Sequence, residues 1–151
     1  MKSDYLKYWR VIRYYVKSKY GLSTAELETL LFLYSEGYFD RAKFDEFDNI
    51  IPWDVKRFEK LFANGWIVHF RQPRRNMKAI YELSLKSKRL IDSVYKKLNG
   101  EEISIKESTS PIFKRNVKYT DKVYRNMIMD MRKATRQQQR HALESQSSAL
   151  D

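Results

Sequence analysis

A chain of 151 residues, 42% hydrophobic and 15% aromatic, can enclose one real core but not two comfortable domains, and it is no disordered polycation. Thirty Lys and Arg against nineteen Asp and Glu leave a net +11, which points to a polyanionic partner, nucleic acid before an anionic membrane surface. With no cysteine, disulfides, thiolate metal sites and thiol redox sensing are excluded; without a signal-like or membrane-length apolar run, the expected location is the cytoplasm.

Between Asp4 and Lys19, Tyr5, Tyr8, Trp9, Ile12, Tyr15 and Val16 step by three and four, and Lys7, Arg10, Arg13 and Lys17 occupy the other side of that helix. Gly21 ends it. Ser23 or Thr24 caps a second helix, which runs through Leu27, Leu30, Leu31 and Leu33 to about Glu36, with Gly37 as its stop. Asp40 to Asn49, with Phe44 and Phe47 three apart, reads as a brief acidic helix. Pro52 then opens a helix expected to bury Val55, Phe58, Leu61 and Phe62 and to show Trp53, Lys56, Arg57, Lys60 and Asn64 outward. Asn64-Gly65 closes it. Trp66 to Phe70 is a strand, Gln72 to Asn76 a basic loop, and Ala79 to Leu83 the returning strand. Ser84 caps a helix to Leu98, residues 101–111 read as a mobile polar linker, and a long helix starts at Ile112 or Phe113. Its heptad-like seam is Val117, Thr120, Tyr124, Met127, Met131 and Ala134; residues 137–151 read as a disordered tail.

The chemistry concentrates between Pro52 and Ala79, where seven cations (Lys56, Arg57, Lys60, Arg71, Arg74, Arg75, Lys78) meet two acids (Asp54, Glu59). A cationic helix followed by an arginine-tipped ribbon suits the two grooves of duplex DNA, so the expected fold is mainly α with a small β-hairpin wing, a winged helix-turn-helix. Arg57 is the candidate for a bidentate guanine contact, with Lys56 beside it, and Lys60 the candidate for phosphate. Arg74 and Arg75 form the wing tip, where a narrow minor groove favours arginine, with Asn76 as the turn residue and Arg71 and Lys78 flanking. Trp53 either packs as a staple or reaches a thymine methyl. Residues 111–141 add nine further cations against Asp121 and Asp130, most simply a solvated face.

"GLSTAELETLLFLYSEGYF" (Gly21 to Phe39) and "VKRFEKLFANGWIVHFRQPRRNMKAIYELSLKSKRLIDSV" (Val55 to Val94) resemble the MarR family of winged-helix regulators in their leucine helix, recognition helix, "G-W-I" strand, basic wing and following helix start. The sequence departs from that pattern in lacking the aspartate of the usual wing Asp-x-Arg and in having Ser87-Lys88 where a small residue or glycine is usual. The resemblance implies a homodimer built by the N- and C-terminal helices, with Tyr5, Trp9, Ile12, Tyr124, Met127 and Met131 as dimerisation residues. It divides the chain into a DNA-binding domain over 1–100, the linker 101–111, a dimerisation helix over 112–136 and the tail. It also implies a small-molecule effector of unspecified identity.

No enzyme is expected: His69 and His141 stand far apart, the acids at Asp45, Glu46 and Asp48 lack a calcium-loop glycine, and no phosphate-cradling glycine loop exists, so neither metal nor cofactor is expected. The expected function is a dimeric, double-stranded-DNA-binding transcriptional regulator. An alternative is a winged-helix protein-interaction adaptor in a larger transcription or replication assembly. Single-strand binding ranks last, because it needs exposed aromatic platforms and most aromatics lie on helical core stripes.

Overall fold

The structure, a computed structural model, describes residues 5–48 and 56–150, with the side chains of residues 47 and 48 outside that description. The elements are α1 (Tyr5–Tyr20), α2 (Thr24–Glu36), β1 (Tyr38–Phe39), α3 (Arg41–Asp48), α4 (Arg57–Ala63), β2 (Ile67–Arg71), β3 (Ile80–Leu83), α5 (Leu85–Leu98), a 3-10 turn (Pro111–Phe113) and α6 (Tyr119–Leu150). They fall into two compact units, Leu22–Val94 and Met1–Gly21 with Tyr95–Asp151. The expected division differs in that it groups the N-terminal helix with the DNA-binding domain. The side chain of Phe47 and the helix opening at Pro52, with Trp53 and Val55, lie outside that description.

Leu22–Val94 is a winged helix-turn-helix: helix, short strand, two helices, then a two-stranded wing. Ser23 starts α2 by accepting the Glu26 amide on its hydroxyl at 3.1 Å, and Leu27, Leu30 and Leu33 bury one face. The sheet is antiparallel in the order β1-β3-β2. The strand β1 was not anticipated; two residues are too few to show a period of two, and Gly37 before them reads only as a helix stop. Ser84 caps α5 by accepting the Ser87 amide at 3.2 Å. The buried Ser87 hydroxyl donates to the Trp66 carbonyl at 2.6 Å, which gives the departure at this position a structural use.

In the other unit α1 packs against α6 and the 3-10 turn. Val11, Ile12, Tyr15 and Val16 are buried on α1, and Ile128 and Met131 on α6. Within the expected mobile linker Ile103 and Ser110 are buried, as is Ile112 just after it, and Tyr15 donates to the Thr109 carbonyl at 3.3 Å. Two isolated isoleucines carry no period, so a polar segment hid two anchors. The cations of α6 hold the segment down. Arg132 donates to the Ile103 carbonyl at 2.9 Å and pairs with Glu102 at 3.1 Å, Arg136 meets Glu102 at 2.8 Å, and Arg125 donates to the carbonyls of Ile112 and Lys114. The helix begins at Tyr119 rather than Ile112 and continues to Leu150, so the expected tail is helical, although exposed from His141 onward.

Candidate nucleic-acid interface

Helix α4 is held from below by aromatic rings. Phe58 meets Phe44 edge-on at 5.0 Å and Tyr81 at 4.9 Å, and Tyr81 stacks on His69 at 4.8 Å. These contacts tie α3, α4 and the wing strands into one frame. Arg41 completes it from α3: its guanidinium lies 4.0 Å over the Phe58 ring and pairs with Asp45 at 3.1 Å and Glu59 at 3.2 Å. Burial opposes the Arg41 charge, but hydrogen bonds to Asp45 and Glu59 outweigh it and raise its pKa. Glu59 is lowered by its own backbone amide first and by Arg41 next. The i,i+4 spacing of Arg41 and Asp45 was legible in the sequence; the reach to Glu59 was not.

The inner face of α4 is Arg57, Phe58 and Leu61, while Phe62 is exposed. The expected phase therefore needs correction. A helix of seven residues gives too few turns to fix its inner stripe, and a charged Arg57 reads as outer by default. At 3% exposure Arg57 lies on the inner face of α4 and not on the outer one where it was expected. Lys56 and Lys60 do lie outside. Lys60 is also the ion partner of Glu26, at 2.9 Å, and that carboxylate is nearly fully buried at the start of α2. Glu26 thus ties α2 to α4, two helices that are not consecutive in the chain.

The helix stop aims the wing. Gly65, at φ +77°, lets its own amide reach the Phe62 carbonyl at 3.1 Å and the Trp66 amide reach Leu61 at 2.9 Å. This is the paired bond pattern of a Schellman end. Strands β2 and β3 then run out in register Val68 to Glu82 and His69 to Tyr81, with an irregularity between His69 and Arg71. At the tip Arg74 and Met77 exchange both backbone hydrogen bonds, at 3.0 and 2.9 Å, and Asn76 turns the chain at φ +68°. Asn tolerates that conformation better than most side chains. Arg71 is half-buried and donates to the Lys78 carbonyl at 3.1 Å, so it braces the wing from within, in a chain that lacks the wing aspartate. Arg74, Arg75 and Lys78 are exposed, and among the described residues no acid pairs with them.

The expected DNA-facing set is thus divided. Lys56, Lys60, Arg74, Arg75, Asn76 and Lys78 are displayed, Arg57 is buried, Arg71 is half-buried, and Trp53 lies outside the described residues. The expected dimerisation set divides as well. Ile12 and Met131 are already buried in the single chain, Trp9, Tyr124 and Met127 are half-buried, and Tyr5 is exposed. Tyr124 stacks on Tyr14 at 3.9 Å within its own chain. Among the described residues no cluster of His, Asp or Glu could hold a metal ion, and no helix is long and apolar enough to cross a membrane.

No family model matches this chain, and no curated protein matches it either. Among solved structures it is similar to a cysteine-to-serine mutant of MarR from E. coli complexed with operator DNA, at 11% identity and a TM-score of 0.44 over 83% of this chain and 84% of that one. It is similar at the same identity and score to wild-type apo MarR from E. coli, over 83% of this chain and 87% of that one.

Proposed function

We propose that this protein is a MarR-like transcriptional regulator that binds double-stranded DNA as a homodimer. The observation that carries the reading is the wing: a two-stranded ribbon, braced by Arg71, that presents Arg74, Arg75 and Lys78 to solvent without acidic partners among the described residues. Helix α4 is the element for the major groove, with Lys56 and Lys60 on its outer side, and the wing arginines take the flanking minor groove or phosphates. With Arg57 turned inward, base reading by α4 rests on residues other than that arginine. Phosphate contact dominates the affinity of such a surface, and binding is expected to fall steeply with salt.

The test is anisotropy binding to duplex DNA over a salt series with the native chain and with Arg74→Ala/Arg75→Ala. The double variant is expected to bind more weakly and to lower the slope of log K against log salt by about two. An unchanged slope, or no duplex binding by folded native protein at low salt, would sink the reading.

A further inference from the structure

The outer face of the wing sheet carries an aromatic surface that duplex binding does not use. Side chains alternate across a strand, so the register separates two rows. Phe39, Tyr81 and His69 form one, and the Phe39 and Tyr81 rings, 6.2 Å apart, face the helices with Phe58. Tyr38, Glu82 and Val68 form the other. Phe70, two residues after Val68, belongs to this second face, where its ring lies against Tyr38 at 4.2 Å and 37°. Tyr38 is 59% exposed and Phe70 56%, so the two rings cover each other only at one side. Beside Tyr38 an open trough of about 230 Å³ is floored by Leu33 and Leu83. Glu82, the acid on this face, is paired with Lys88 at 3.7 Å, which offsets its charge.

We propose that Tyr38 and Phe70 form a stacking platform for the bases of single-stranded nucleic acid, with the wing cations holding its phosphates. Charge complementarity selects the occupant. Arg74 is four residues beyond Phe70, hence at most about 14 Å away along the chain, and it is followed by Arg75 and Lys78, none of the three paired with an acid among the described residues. A base offers its flat face to such rings only when unstacked and unpaired, so the platform cannot be satisfied by an intact duplex. Stacking is tolerant of base identity, so the site selects strandedness rather than sequence. This goes beyond the duplex reading, because it adds the aromatic face of the sheet to the wing cations which that reading uses, and leaves α4 out.

The experiment uses the full chain and its Tyr38→Leu/Phe70→Leu variant, which keeps apolar bulk and removes both rings. Anisotropy is measured with labelled oligothymidylate and oligouridylate of about 12 nucleotides, and with a duplex. The variant is expected to lose about tenfold or more on the single strands and to keep its duplex affinity; the tighter of the two oligomers identifies DNA or RNA as the source. Unchanged single-strand affinity overturns the proposal, as does absence of single-strand binding by the native chain at low salt. Equal loss on duplex and single strand also overturns it, since the rings would then only support the wing. If the double variant does not fold, Phe70→Leu and Phe70→Trp decide: the first is expected to weaken and the second to hold or tighten single-strand binding, and identical affinities overturn the proposal. Loss of duplex binding alone bears on the proposed function and leaves the platform standing.

Discussion

Arg57 and Arg74 carry the same side chain and do opposite work because of where the backbone puts them. Arg57 is buried on the inner face of α4, where its long stem contributes packing as much as charge. Arg57→Ala is therefore expected to lower unfolding stability by about 1–3 kcal/mol in urea titration while leaving the salt slope of duplex binding at its native value. A changed slope with unchanged stability would return Arg57 to the interface. Lys60 and Glu26 make a second unequal pair, one half-exposed and the other buried. Removing the lysine leaves a buried carboxylate without this ion partner, whereas Glu26→Gln removes the charge that was costly to bury. Lys60→Met is thus expected to destabilise more than Glu26→Gln; the reverse order in thermal unfolding would contradict the role given to the pair.

Elements in this fold begin and end where single residues dictate, and some of those residues are easily read. Thr24–Glu36 was legible to within a residue, because either Ser23 or Thr24 reads as its cap and Gly37 as its stop; Ser23 is the cap. Gly65 is as plain a stop, and no atom lies within 4 Å of where its Cβ would stand. Gly65→Ala should therefore cost only the left-handed conformation, about 1–2 kcal/mol, measurable by chemical denaturation; a neutral result would mean the turn relaxes. Less legible was whatever depends on distant partners. The inner face of α4 is set by Phe44 and Tyr81, the anchoring of residues 103–112 by arginines on α6, and the wing brace by Arg71 reaching Lys78. None of these leaves a local period. Tyr14 is of this kind: it donates to Asp121, stacks on Tyr124, and has its pKa pushed from 10.0 to about 12 by burial first and by Asp121 next. A raised tyrosine pKa means the folded state holds the proton more tightly. Its stabilising share is fully present below pH 10 and is lost as pH rises through about 12. Ultraviolet titration is expected to show one late phenol that moves down in Asp121→Asn, and an unmoved titration would dissociate the phenol from that carboxylate.

At the scale of the whole molecule, the question is which apolar surface remains for a second copy once the single chain has used what it needs. Ile12 and Met131 are spent on the packing of the chain itself, so their truncation is expected to show as unfolding before it shows as dissociation. Tyr5 differs. It is the first residue of α1, half-exposed, and the first turn of that helix carries no acid. An acid there complements the helix dipole, so Tyr5→Glu should leave the folded chain as stable or slightly more so while placing charge in any apolar interface built on α1. The expected outcome is a shift toward monomer in sedimentation equilibrium with an unchanged circular-dichroism melt at monomer concentrations. A duplex carrying two half-sites a helical turn apart should then lose its advantage over one half-site, because the second reading head is no longer tethered to the first. A variant that stays dimeric would place the twofold contact away from the start of α1, and Val123, Met129, Leu143 and Leu150, exposed along α6, would be the next residues to charge.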